Sequence, residues 1–372
     1  MNPHHARPDV PCTPPRSRPQ RPVLCSIVPP HLLDRLARQE DPELADPARR
    51  TLAHDAALRT RRLQGARARG GLAPTGRVAG DGEEPRRTVH DAGGSEVLPG
   101  ERVRAEGRPP VDDASVNRAY AGLGATFELY LGEYARYSVD GGGLPLDATV
   151  HYGQRYANAF WDGERMVFGD GDGEVFRDFT LPVEVIGHEL THGVTQYTAG
   201  LQYSGQPGAL NESVSDVFGS LIKQYGLGQT ASDADWLIGQ GLFTERVNGE
   251  ALRSLKAPGT AYDDRTLGRD PQPATMADYV DTTEDNGGVH INSGIPNHAF
   301  YRLALELGGH AWERAGRIWY DTLTHEQLAP DADFARFARL TVASAEARYG
   351  IGEEREAVLK AWSEVGVTPA DR

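Results

Sequence analysis

Five consecutive residues, His188-Glu189-Leu190-Thr191-His192, constrain this chain more than any other stretch. The surrounding VEVIGHELTHGVTQY has apolar residues at helical spacing, which predicts a helix over 183–197. Positions i and i+4 share a helix face, so His188 and His192 can offer imidazole nitrogens to one metal ion. Glu189 lies beside that face and can reach a water next to the metal. The plain alternative is two histidines satisfied within a helix. Glu212 argues against it. It comes twenty residues after His192, in an amphipathic pattern that predicts a helix over 209–225, with Asp216 one turn further on the same face. A catalytic zinc site takes three protein ligands and keeps one position open. Glu212 supplies the third ligand if the two helices pack antiparallel. Asp216 can then accept a hydrogen bond from the non-ligating nitrogen of a histidine and fix its orientation. Alone, both carboxylates would read as solvated helix charges; after H-E-x-x-H at this spacing they read as parts of a zinc site. A third stretch, DNGGVHINSGIPNHAF, sets His290 between a Gly-Gly pair and an NSG turn, which implies close backbone approach. Asp285 is placed to orient that histidine.

Length and composition set the frame for this site. With 372 residues the chain can bury a large core and divide into two or three domains. The net charge of −14 argues against nucleic acid as a partner, since that needs a basic face. There is no apolar run of membrane-spanning length, so no membrane insertion is expected. The first residues lack an apolar h-region, so no standard secretory signal is visible. The two cysteines, Cys12 and Cys25, cannot build a disulfide framework for the chain beyond Cys25. Charge is uneven: residues 1–87 hold 16 Arg, no Lys and 10 acidic residues, a net +6, and the remainder carries −20. Residues 1–23, rich in Pro and Arg, are expected to be disordered. HLLDRLARQE brings Leu32, Leu33 and Leu36 to helical spacing. PARRTLAHDAALRTRRLQGARA predicts a helix starting at Pro47, with Leu52, Ala56 and Leu63 along it. The Gly- and Pro-rich stretch 65–85 reads as a linker. From about 86 the chain reads as continuously folded. Residues 147–180 alternate around Gly/Asp turns and predict twisted antiparallel strands. Beyond 181, helices are predicted at 297–308, 311–325, 331–348 and 353–365 as well. The expected fold is therefore α+β and two-lobed, with a sheet-rich N-terminal lobe, a mainly helical C-terminal lobe and a cleft between them.

HELTH, NESVSD and DNGGVHINSG, in that order, resemble the thermolysin family of zinc metallopeptidases. The similarity extends over most of 110–367, including NAFW at 158–161 and GDGDG at 169–173. CSIVPPHLL at 25–33 resembles the compact Pro-Pro pro-segment of the protealysin-like branch, and RTVHDAGGSEVLPG resembles the start of a mature part. The implied organisation is a start at 1–23, a pro-segment and linker at 24–86, an N-terminal catalytic lobe at 87–197 and a helical lobe at 198–372. The resemblance implies a zinc endopeptidase acting on internal peptide bonds and made as a precursor. It implies action outside the cell, although no signal peptide is visible. His188, His192 and Glu212 match the zinc ligands and Glu189 the general base. Tyr203 and His290 match the pair that stabilises the oxyanion, and Asp285 the partner of that histidine. Asp216 matches the partner of His188. Asn158 and Ala159 match residues that hold the substrate main chain, and Arg253 the arginine that grips a substrate carbonyl. Phe176, Phe179, Val185, Ile238, Leu242 and Leu252 fall where the family builds its apolar pocket for the residue after the scissile bond; core packing is the alternative for each.

The chain departs from the family at the paired calcium site. Glu184 and Asp235 keep two of its positions, but Lys223, Leu237 and Gln240 supply no anionic oxygen, so the double site is expected to be lost. Asp170 and Asp172 of GDGDG fit a strand turn. The basic N-terminal segment is expected to dock on the acidic body as an intramolecular inhibitor. Cys25 offers either a thiolate to the zinc or an apolar contact near Pro29 and Pro30. Two other functions compete. A zinc aminopeptidase would need an acidic anchor in a GxMEN string, which is absent. A silent, zinc-stabilised interaction protein need not keep Glu189, Tyr203 and His290.

Overall fold

The structure, a computed structural model, describes residues 25–68 and 84–369. The Pro/Arg-rich start, most of the linker and the side chain of Leu63 lie outside the described residues. The N-terminal segment opens with strand β1 (Cys25–Ser26), followed by α1 (Pro30–Ala37) and α2 (Pro42–Ala68). Leu32, Leu33 and Leu36 are buried on α1, as their spacing predicts. Helix α2 starts five residues before Pro47. Asp41 caps it, accepting from Glu43 N, and Pro42 sits at its first position, a stronger start signal than Pro47. Pro47 lies inside the helix, where it forgoes one backbone hydrogen bond. The buried face of α2 also differs from expectation. Leu52 is half-buried and Ala56 exposed, while Ala45, Ala48, Thr51 and Asp55 face inward.

The body begins with β2 (Arg87–Asp91) and β3 (Glu101–Ala105), continues through α3 (Ala114–Tyr134), and returns in β4 (Leu146–Val150), β5 (Ala159–Trp161) and β6 (Met166–Phe168). Together with β1 they form a six-stranded sheet in the order β1-β5-β6-β4-β2-β3. Three of its pairings are antiparallel. The expectation of antiparallel pairing fails at β4, which runs parallel to both β2 and β6. A strand's alternation shows which residues face the core, not the direction of its neighbours. The pairing with β6 is parallel because the chain passes first to β5 and then reverses into β6. The pairing with β2 is parallel because of α3, which sequence periodicity misses. It buries residues on most of its circumference, from Val116 and Ala119 to Phe127 and Tyr130, so no single stripe stands out. As the connection between β3 and β4 it carries the chain back across the sheet.

Two long helices, α4 (Val183–Gln196) and α5 (Gly205–Leu227), cross the centre. Their contacts run in opposite senses. Glu184 meets Gly219, His188 meets Asp216, and His192 meets Asn211. They therefore pack antiparallel, as the third ligand required. Gly219 makes the close approach possible, since a Cβ there would stand 2.5 Å from the Glu184 carbonyl oxygen. Two short strands, β7 (Leu237–Ile238) and β8 (Arg253–Ser254), pair beyond α5. Helices α6 (Asp285–Asn292), α7 (Gly294–Leu307), α8 (Ala315–Leu323), α9 (Phe334–Tyr349) and α10 (Glu353–Glu364) complete the C-terminal lobe. The NSG stretch expected as a turn is instead the junction of α6 and α7. Trp319 of α8 stacks on Trp362 of α10, with ring centroids 5.8 Å apart. Among the described residues, no helix is long and apolar enough to cross a membrane.

Candidate active site

Helices α4 and α5 bring the predicted ligands to one point. His188 Nε2 and His192 Nε2 lie 3.0 Å apart, and each is 3.5 Å from a carboxylate oxygen of Glu212. All three side chains are buried. Two imidazole nitrogens facing each other and a carboxylate make a donor set for a divalent cation. Oε2 of Glu212 is buried without a hydrogen bond, as an oxygen reserved for a metal would be. These residues therefore fit a zinc ion.

The supporting groups are arranged around that point. Nδ1 of His188 lies 2.8 Å from Asp216 Oδ1. Asp216 also accepts two hydrogen bonds from Arg253, from Nε and Nη2 at 2.8 Å each, and one from Asn297 Nδ2 at 2.9 Å. One carboxylate thus aligns both the ligand histidine and the arginine. His192 Nδ1 meets Asn211 Oδ1 at 2.9 Å and Ser215 Oγ at 3.0 Å. Sequence reasoning missed Asn211, Ser215 and Asn297. The helical offset was available for the first two, since both lie on α5 within a turn of Glu212.

Glu189 points toward the same space without joining the donor set. Its Oε2 accepts from the Trp161 backbone N–H at 3.0 Å, and its Oε1 is buried and unpartnered. Burial is the main reason its pKa is pushed up to about 8, with the Glu212 charge adding to it and His188 opposing. Burial also disfavours charge on His188, but Asp216 and Glu212 outweigh it and hold its pKa at about 9. Burial pushes His192 down to about 3; the Glu212 charge opposes this and the His188 charge adds to it. Glu212 is held well below the usual carboxylate range: burial works against this, and His290, His192 and His188 outweigh it.

Tyr203 and His290 close the other side. The Tyr203 hydroxyl donates to Glu212 Oε1 and lies 3.2 Å from His290 Nε2. Asp285 holds His290 twice, at its backbone N–H (2.8 Å) and its Nδ1 (2.7 Å). The Gly-Gly pair permits this. Asp285, Asn286, Gly287 and Gly288 all have positive φ, and a Cβ on Gly287 would stand 3.0 Å from Gly205 N.

The N-terminal segment runs through the site. Ile27 N–H donates to the Ala159 carbonyl at 3.1 Å, and Val28 N–H donates to Asn158 Oδ1 at 3.0 Å. Arg253 Nη1 donates to the Ile27 carbonyl at 3.0 Å. Asn158, Ala159 and Arg253 therefore all hold main chain, that of the segment itself. Phe176, Phe179, Val185, Ile238, Leu242 and Leu252 are buried in the same apolar cluster as Ile27. Ile238 pairs with Arg253 across β7 and β8, and Leu252 precedes Arg253, so these two flank the arginine.

Residues 100–196 match the family described as "Thermolysin metallopeptidase, catalytic domain", and residues 199–367 match "Thermolysin metallopeptidase, alpha-helical domain". The chain belongs to the thermolysin family of metallopeptidases. It is a zinc metalloendopeptidase with an N-terminal pro-segment, of the protealysin-like branch. The extracellular metalloprotease of Pectobacterium carotovorum subsp. carotovorum is 50% identical over 352 residues, 95% of this chain and 98% of that one. Protease PrtS of Photorhabdus sp. (strain Az29) is 51% identical over 283 residues, 76% of each chain. Among solved structures, the precursor of protealysin from Serratia proteamaculans superposes with a TM-score of 0.83 at 50% identity, covering 92% of this chain and 100% of that one.

Among the described residues, the segment is anchored by backbone bonds and apolar burial. Ile27, Val28, Leu32, Leu33 and Leu36 are all buried, each stabilising by about 1.5–3 kcal/mol before the cost of ordering. Asp55 of α2 accepts from the Tyr156 hydroxyl and from Asn158 Nδ2, both on the body. The ion pair between Glu43 and Arg155 runs opposite in sense to the overall charge asymmetry. At GDGDG, Asp172 Oδ1 accepts three backbone N–H groups as a turn does, and Asp170 pairs with His151.

Proposed function

We propose that His188, His192 and Glu212 hold the catalytic zinc, that Glu189 is the general base, and that Tyr203 and His290 bind the oxyanion. The observation that carries this reading is the convergence of two imidazoles and a buried, unsatisfied carboxylate beside an uncoordinated Glu189. The ion, when bound, supplies Lewis acidity to the scissile carbonyl and makes water acidic enough to attack near neutral pH. Glu189 takes the attacking water's proton through Oε1 and passes it to the leaving amine. His290 Nε2 and the Tyr203 hydroxyl donate to the oxygen on which charge develops. Asp285 keeps the His290 donor aimed, Asp216 keeps His188 turned toward the metal, and Asn158, Ala159 and Arg253 align the substrate main chain. Chelator-sensitive cleavage of casein after release of the segment, together with one zinc per chain, is the expected result. Proteolysis that survives chelation would overturn the reading.

Phe176, Phe179, Val185, Ile238, Leu242 and Leu252 form the pocket for the residue after the scissile bond, with Ile238 and Leu252 beside Arg253. A peptide library is therefore expected to favour Leu, Ile or Phe there; a preference for charged residues would exclude this role. The segment 24–86 is released by a cut near 86, leaving lobes 87–197 and 198–372, and the mature enzyme acts outside the cell on proteins and peptides.

Lys223 stands in for the family's paired calcium site. Its ammonium lies 2.7 Å from Asp235 Oδ2, 3.1 Å from Gln240 Oε1 and 3.5 Å from Glu184 Oε1. Calcium is thus expected to leave the melting temperature unchanged. Lys223→Ala would strand the buried Glu184 and is expected to destabilise by about 3 kcal/mol, measured by denaturant unfolding. A large calcium stabilisation of the parent chain would contradict this.

A further inference from the structure

The segment crosses the cleft in the register of a substrate. β1 pairs antiparallel with β5, Cys25 opposite Trp161 and Ser26 opposite Phe160. The next residue, Ile27, gives its N–H to Ala159 and its carbonyl to Arg253. The carbonyl before it, that of Ser26, accepts from His290 Nε2 at 3.1 Å. The Ser26–Ile27 peptide bond therefore lies between the proposed oxyanion donor and the proposed substrate clamp. A peptide held in this way is poised for attack, because its orientation has already been fixed. Something must keep it intact.

We propose that the Ser26–Ile27 bond occupies the scissile position, and that the Cys25 side chain protects it by taking the zinc's open fourth corner. The proposal rests on the metal site assigned above. Three observations support it. Cys25 Sγ lies within 4.8 Å of a His192 nitrogen and a Glu212 oxygen. Two ligands of one tetrahedral zinc, with bonds of roughly 2.3 Å to sulfur and 2.0 Å to nitrogen, stand about 3.5 Å apart. A cavity of about 20 Å³ lined by Cys25, Trp161, His192, Gln196, Gly200, Leu201 and Asn211 gives the thiol room to turn through the remaining distance. Glu189 Oε1 and Glu212 Oε2 are buried without hydrogen bonds, so these polar groups of the site are left for an ion and its fourth ligand.

The chemistry is self-consistent. On binding metal the thiol loses its proton to solvent, and the soft thiolate competes well with water for zinc. No water then stands where Glu189 could deprotonate it. When the thiolate is removed, water adds across the bond. The Ser26 carbon to Ile27 nitrogen bond breaks, oxygen stays on the new Ser26 carboxylate, and Glu189 delivers a proton to the Ile27 amine.

The test uses the full chain in two arms. In the first, Glu189→Gln prevents turnover and the metal-free protein is titrated with Co²⁺. One cobalt per chain is expected, with a thiolate-to-cobalt charge-transfer band in the near ultraviolet that Cys25→Ser abolishes. One cobalt bound without that band overturns the role of the thiol. No cobalt bound at all is a different failure, that of the metal site itself. In the second arm Glu189 is kept and Cys25→Ser is loaded with zinc at high dilution. Mass spectrometry is expected to find a first new N-terminus at Ile27, absent from the parent. A metal-loaded variant that stays whole, or is cut first elsewhere, overturns the register. Should Cys25→Ser fail to fold, the cobalt spectrum of a Cys12→Ser chain, which keeps Cys25 as its one thiol, still decides.

Discussion

Glu189→Gln is expected to keep one zinc per chain and to lower kcat by about 10²–10⁴, the usual contribution of a positioned general base. The geometry separates these two outcomes. Glu189 lies outside the set of His188, His192 and Glu212, so its loss removes no ligand. One carboxylate oxygen is engaged by the Trp161 N–H, and a glutamine amide oxygen can accept that bond equally well. The other oxygen is the one that must receive a proton, and an amide cannot. The swap is nearly isosteric within a buried site, so no cavity opens and the fold should hold. Metal content by emission spectroscopy and turnover on casein, both after release of the segment, check the two halves. A variant that cleaves casein as fast as the parent removes Glu189 from the mechanism. A variant that loses its zinc makes Glu189 a ligand.

The parts of this site that were legible in the sequence are those fixed by local geometry. His188, Glu189 and His192 share one helix, and a period of 3.6 dictates their relation before any tertiary contact forms. Glu212 and Asp216 repeat that logic on α5, and the glycines where the helices touch let the two faces meet. Asn297 is different. It lies 81 residues from Asp216, and only the packing of α7 on α5 brings the two together. Long-range partners of this kind leave no periodic trace. The same holds for β4, where the parallel pairing with β2 depends on the path of α3 and not on the strand's own residues. The charge asymmetry suggested that a basic segment of +6 docks on an acidic body of −20. The buried contacts instead combine an aliphatic face with backbone bonds, and Glu43 and Asp55 of the segment work against the simple picture. Net charge describes the field at a distance, and burial decides what holds at contact. The family resemblance supplied what periodicity could not, notably the link between Tyr203, Arg253 and the metal site.

His290→Ala is expected to lower kcat by about 10²–10³ with zinc content unchanged, the typical cost of losing one oxyanion donor. His290 is built as a fixed donor. Asp285 accepts from Nδ1 at 2.7 Å and from the backbone N–H at 2.8 Å, which leaves Nε2 as the nitrogen that faces the cleft. Burial disfavours charge on this imidazole, but Asp285 and Glu212 outweigh it and raise its pKa, so it reaches the reacting carbonyl as a charged donor over a wider pH range. The bond it now makes, to the Ser26 carbonyl, is the kind of contact that strengthens as an oxygen gains negative charge. Alanine therefore removes more from the transition state than from the bound substrate, and kcat should fall while KM changes little. Asp285→Asn gives the matching check. It keeps the imidazole but weakens its charged form, so activity should fall less than in His290→Ala and the alkaline limb of kcat should move to lower pH. If His290→Ala raises KM and leaves kcat intact, the residue grips substrate without sensing the developing charge, and the oxyanion role fails. If the variant loses zinc, His290 belongs to the metal site, and the roles of Glu212 and His290 must be redrawn together.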